Sequence, residues 1–135
     1  MSKYRIPKRK SKYFLPKQEY LTAIHYSLRY PSLLAEYNIL ADTAKGITYD
    51  TDKVQTSSDY NSTEETGIKL AELKAKLDKI EQTIKETTEE LAEFLKLGVC
   101  YDFTFEQLKG NGMPCERAKY YDMRREYLFR LAEKI

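Results

Sequence analysis

Between residues 70 and 94 one pattern restricts the fold more than any other. Leu70, Leu73, Leu77, Ile80, Ile84, Leu91 and Phe94 recur at alternating three- and four-residue steps, with Thr87 alone breaking the heptad register. Apolar residues at this spacing lie on one side of an α-helix, and a helix that carries them must bury that side. The stripe covers about 25 residues, roughly 37 Å at 1.5 Å per residue. Lys74, Lys76, Glu81, Lys85 and Glu90 line its flanks, and Ser62 or Thr63 can cap the helix ahead of Glu64 and Glu65, whose charge opposes the positive end of the dipole. Two partners could cover the packing set Leu70, Leu73, Leu77, Ile80, Ile84 and Leu91: shorter helices of the same chain, or a second copy in a homodimeric coiled coil. The pattern leaves both open.

Shorter helices are available on either side. Leu21, Ile24, His25 and Leu28 recur at helical spacing from Gln18 to Arg29, and Pro31 should end that helix. A second helix is expected from about Ser32 to Ala44, with Leu33, Leu34, Tyr37 and Leu40 on one side, Ser32 as cap and Gly46 as stop. Residues 45–63, rich in Thr, Ser, Asp and Asn, read as a polar loop. The first seventeen residues are interrupted by Pro7 and Pro16 and read as an extended arm. The organisation expected is thus an arm over 1–17, a helical hairpin or coiled-coil region over 18–97 and a further unit over 98–135. The fold class is all-α: a long central heptad-bearing helix packed with shorter amino-terminal helices, followed by a carboxy-terminal helix-turn-helix.

A chain of 135 residues has room for one ordinary core. Its charged fraction, 33%, exceeds the roughly 25% of average domains, as solvated helices would require. The distribution matters more than the net +2: residues 1–17 carry +7, residues 18–63 −3, residues 64–93 −4 and residues 94–135 +2. Basic ends around an acidic middle are the asymmetry expected of a protein that meets a polyanion on two surfaces. No run approaches the roughly 20 apolar residues of a membrane span, and the basic amino terminus lacks an apolar stretch after it, so no membrane partner and a cytoplasmic location are expected.

Catalytic chemistry finds little to use. His25, the only histidine, lies beside Ile24 and Leu28 on the expected apolar side of its helix and reads as structural. Cys100 and Cys115 match no metal-ligand spacing and read as buried thiols. Phosphate-binding loops, dinucleotide fingerprints, zinc-protease and serine-hydrolase motifs do not occur. The expectation is a non-enzymatic protein with no cofactor and no metal.

The last third of the chain carries the functional reading. Helices are expected over about 89–97, over 104–109 behind the cap Thr104, and over 114–134 behind the break at Gly110, Asn111 and Gly112, with Met113 and Pro114 opening the last one. These lengths suit a helix-turn-helix, whose final helix enters the major groove of DNA. On that helix Tyr120, Met123, Tyr127, Leu128 and Leu131 form a packing stripe, which leaves Arg117, Lys119, Tyr121, Arg124 and Arg125 for nucleic acid, with Lys109 and Asn111 at the corner. Arginine pairs bidentately with guanine edges or phosphates, and tyrosine donates to phosphate or stacks on bases. Lys8, Arg9, Lys10 and Lys12 of the arm could follow a minor groove or the phosphate backbone.

The run TFEQLKGNGMPCERAKYYDMRREYLFRLAEKI resembles the carboxy-terminal helix-turn-helix of small bacteriophage transcriptional regulators of the RinA/ArpU-like type, whose ends are similar to sigma-factor region four. The matching positions are Thr104, Phe105, Tyr121, Arg124, Arg125, Leu131 and Ala132, and the segment from Ser57 to Ile84 resembles the family's polar linker and central helix. Gly110 and Gly112 around Asn111, and the acids Asp122 and Glu126, depart from the pattern. The resemblance implies a DNA-binding transcription regulator of a phage, acting on double-stranded DNA inside a bacterial host cell. A phage anti-CRISPR or other anti-host inhibitor, binding a host protein or nucleoprotein with the same helices, is the alternative, and an assembly protein joined through the heptad stripe is a third reading.

Overall fold

The computed structural model describes residues 12–49 and 57–135. Among these residues the chain is all-helical: α1 (Lys17–Leu28), α2 (Tyr30–Tyr49), α3 (Ser57–Thr87), α4 (Ala92–Cys100), α5 (Phe105–Gly110) and α6 (Arg117–Ala132). They fall into two compact units, one made of the chain through Tyr30 together with Lys79–Ile135, the other of Pro31–Asp78.

The polar loop expected over 45–63 is helical at both ends, because α2 runs on through Gly46 to Tyr49 and α3 already begins at Ser57. A single interior glycine costs a helix only about 1 kcal/mol, no proline interrupts either stretch, and each further residue adds a backbone hydrogen bond. Ser62 and Thr63 therefore lie inside α3 rather than capping it. Pro31 does not simply close α1: it sits in the first turn of α2, where its missing N–H would have been unpaired anyway. In the Pro31–Asp78 unit, Leu33, Leu73 and Leu77 are buried, and Lys69 Nζ lies 3.5 Å from the Glu36 carboxylate.

The heptad stripe ends where its register first fails. Thr83 and Thr87 hydroxyls donate to the carbonyls of Lys79 and Thr83, the Thr88 hydroxyl accepts from the Leu91 N–H at 3.2 Å, and the helix stops at Thr87. Hydroxyls that bond local backbone offer the chain an alternative to continuing the helix. The continuous helix expected to reach Phe94 is thus two, and Leu91 becomes the N-cap residue of α4. Leu73, Leu77, Ile80, Ile84 and Leu91 are buried and Leu70 is half-buried.

In the larger unit α1 packs against α6 and α4, and α4 packs against α5 and α6. The face α1 buries is Tyr20, Ala23, Ile24 and Ser27, which leaves His25 exposed instead of on the apolar side. The small Ala23 and Ser27 allow the close approach: Ser27 donates its only hydroxyl proton to the Ala23 carbonyl at 2.9 Å, so the buried Tyr127 hydroxyl, 2.8 Å away, donates to Ser27. Burial holds the Tyr127 hydroxyl far above its ordinary pKa, consistent with that donor role. Two further clasps tie this unit. Tyr30 donates to Glu81 at 2.6 Å while Lys96 reaches the same carboxylate at 3.4 Å and lies over the Tyr30 ring. Lys134 donates to the Thr83 hydroxyl at 3.0 Å and pairs with Glu86. Leu15 is buried, so the last residues of the basic segment belong to the fold rather than to a free arm.

Candidate nucleic-acid interface

The corner between α5 and α6 is built by backbone rules that the sequence announces. Thr104 and Gln107 form a reciprocal capping box, the Thr104 side chain accepting from the Gln107 N–H and the Gln107 side chain accepting from the Thr104 N–H at 2.8 Å. At the other end Gly112, with φ +91°, donates to the Lys109 carbonyl at 3.0 Å and Met113 donates to the Leu108 carbonyl at 3.1 Å. This is a Schellman closure, and its hydrophobic partners Leu108 and Met113 share one core cluster with Leu91, Cys115 and Tyr120. The Asn111 side chain is spent on the Gln107 carbonyl at 2.8 Å.

Met113 and Pro114 do not open the last helix. Met113 and Cys115 are buried while Pro114 and Glu116 are exposed, an alternation of period two that belongs to extended chain, and α6 begins only at Arg117. The connection between α5 and α6 is therefore longer than the three- to four-residue turn of a tight helix-turn-helix. Nor does α4 stop at Gly98: it continues to Cys100, and a Cβ at Gly98 would overlap the Tyr120 hydroxyl, so the glycine lets α6 approach α4. Asp102, with φ +58°, reverses the chain after α4.

Side chains from both helices converge on Phe105. Lys109 Nζ lies 5.9 Å and the Arg117 guanidinium 5.1 Å from its ring centroid, and Arg117 also lies 5.8 Å from the Tyr121 ring. Arg117 pairs with Glu106, but both are exposed, at 51% and 67%. The N-cap residue of α6, Glu116, makes no side-chain capping bond.

The remaining residues of the expected interface are placed elsewhere. Arg124 and Arg125 are half-buried beside α1, where their charge opposes the upward push that burial gives the Tyr20 hydroxyl. Arg125 is also paired with Asp122 at 2.8 Å. These two arginines, expected to face outward, thus lie at the α1–α6 junction, because the α6 face bearing Tyr120, Tyr127, Leu128 and Leu131 is clamped between α1 and α4. Lys119 is exposed and, with Lys12, lines a groove of about 470 Å³. Lys8, Arg9 and Lys10 lie outside the described residues.

No family model, no curated protein and no solved structure matches the chain. Among the described residues there is no cluster of three His, Cys, Asp or Glu side chains that could hold a metal ion, and no helix is long and apolar enough to cross a membrane. Cys100 and Cys115 are free and buried, and burial pushes the Cys100 thiol up to about 12, far from a reactive thiolate. The Phe105 cluster combines groups that separate sequence features supplied. Phe105 and Lys109 are four apart on one helix, a signal that sequence carries, whereas the Glu106–Arg117 pair spans the corner and has no local signature.

Proposed function

We propose that the chain is a DNA-binding protein of the transcription-regulator type, which docks the α5–α6 corner on duplex DNA with the first turn of α6 directed at the groove. The observation that carries this reading is the convergence of Lys109 and Arg117, from two different helices, on the ring of Phe105. Two cations fixed on one aromatic platform suit a phosphate backbone, and the uncapped N–H groups at the start of α6 suit a phosphate in the same place. The Glu106 pair does not prevent it. An exposed ion pair is worth about 0–1 kcal/mol, so exchanging the carboxylate for a phosphate costs little. The RinA/ArpU-like resemblance of residues 104–135 supports the same partner.

The test is fluorescence anisotropy with pooled random duplexes at several salt concentrations. Affinity should fall with salt, and changing Lys109, Arg117 and Lys119 together to alanine should reduce the slope of log K against log salt by about 2.7, at about 0.9 for each phosphate no longer neutralised. Unchanged affinity and slope in that variant would refute the reading.

A further inference from the structure

One carboxylate sits among the cations of the α5–α6 corner. Glu106 accepts from the Arg117 guanidinium, and the two side chains are exposed together. The same guanidinium lies 5.1 Å from the Phe105 ring centroid and 5.8 Å from that of Tyr121, so its place is set by two rings as well as by the carboxylate. The place of Glu106 is set too, because the Thr104–Gln107 capping box fixes the turn that carries it. Glu116, next to Arg117 in the chain, is a second exposed acid, and its side chain makes no capping bond.

A surface that only holds phosphate gains nothing from a carboxylate on its arginine. The phosphate must displace it, and once displaced it is an anion facing a polyanion. The exchange costs little for an exposed pair, but the carboxylate left behind disfavours every arrangement that offers it no donor. Discrimination between partners is built this way, from a group that is unfavourable against the wrong one as well as favourable against the right one. In the major groove guanine presents the acceptors O6 and N7, thymine presents O4, and adenine pairs its amino group with the acceptor N7, whereas cytosine presents an amino donor alone. We propose that Glu106 is the specificity-determining residue of the corner: released when a phosphate takes Arg117, its carboxylate accepts from the N4 amino group of a cytosine and disfavours the other bases at that position. The inference rests on the function proposed above, in which the first turn of α6 is directed at the groove and brings Arg117, with the carboxylate bonded to it, to the groove edge.

The experiment binds a pool of random duplexes to the full chain at two salt concentrations, sequences the bound fraction and measures the affinity for the unselected pool. It compares the native chain with Glu106→Gln and Glu116→Gln. Both positions are exposed, so the variants should fold, which circular dichroism checks. The native chain should enrich cytosine at one position about tenfold over the other bases. In Glu106→Gln, whose amide donates as well as accepts, that enrichment should fall below about twofold while affinity for the unselected pool rises roughly threefold. Glu116→Gln removes the same charge beside Arg117 and should keep the cytosine preference. Three results would overturn the assignment and leave the corner a plain phosphate site: salt-dependent binding by a native chain that favours no cytosine, a preference that survives Glu106→Gln, or a preference lost equally in both glutamine variants. Weaker binding of Glu106→Gln to the unselected pool would also overturn it, since that is the sign expected of a residue that only holds Arg117 in place. A native chain without salt-dependent affinity removes the DNA-binding reading itself, and this inference with it.

Discussion

Replacing Gly98 with alanine tests whether the approach of α4 to α6 is set by one missing side chain. In an ordinary helix interior the change would stabilise by about 1 kcal/mol. Here the added Cβ would overlap the Tyr120 hydroxyl, and Tyr120 has nowhere to go: it is buried, with the Phe105 ring 6.0 Å away on one side and the Tyr121 ring 5.2 Å away on another. Overpacking of this kind costs about 1–3 kcal/mol, and the lack of an escape places it at the upper end, for a net loss of about 2 kcal/mol. For a domain of this length that corresponds to a fall in Tm of about 8 °C. Removing the hydroxyl with Tyr120→Phe leaves the ring carbon as the nearest atom, 3.1 Å from the new Cβ, an approach that a shift of a few tenths of an ångström relieves. Urea unfolding followed by circular dichroism should therefore find the double variant more stable than Gly98→Ala alone, with a coupling of about 2 kcal/mol. Strictly additive effects, or a single alanine variant as stable as the native chain, would refute the steric argument.

Other substitutions probe the remaining joints. Gly112→Ala meets open space, so its cost is conformational only, about 1–2 kcal/mol for a side chain at positive φ, read as a lower urea midpoint with an unchanged m value. Thr104→Ala breaks the capping box and should cost about 1 kcal/mol in the same measurement. Tyr30→Phe removes a hydrogen bond to a carboxylate, worth about 1.5–3 kcal/mol when well formed. Its pH dependence has a defined sign. The Tyr30 bond, with Lys96 beside it, holds the Glu81 carboxyl below its ordinary 4.5, so the clasp contributes fully above that value and is lost as pH falls through the lower folded value. Acid titration of unfolding should show a shallower loss of stability in Tyr30→Phe than in the native chain, and parallel curves would count against the clasp.

The parts of this fold that sequence disclosed are those fixed by local chemistry. Five of the seven heptad residues are buried, with Leu70 and Phe94 half-buried, and Thr87, the polar residue at a heptad position, marks the end of the helix it interrupts. Thr104 and Gly112 cap and close α5 because a capping box and a left-handed glycine act within a few residues. What sequence missed depends on partners far along the chain. His25 and Ile24 are adjacent on α1, and local spacing does not say that Ser27, bonded to Tyr127 one hundred residues later, faces inward while His25 is exposed. Met113 and Pro114 read as the start of a helix because proline favours that position, yet Met113 and Cys115 are buried in the cluster around Leu108 and the stretch between α5 and α6 is extended.

The same long-range packing divides α6 between two tasks. Tyr120, Tyr127, Leu128 and Leu131 are buried, and Arg124 and Arg125 are held at the flank beside α1. A helix used this heavily as core keeps few exposed cations, and Arg117 and Lys119 near its amino-terminal end are among them. Side chains from one short helix face supply only part of the affinity that a specific DNA complex needs, since each neutralised phosphate adds a limited, salt-dependent increment. On the proposed DNA-binding reading, Lys109 across the corner shares that load without exposing more of the helix.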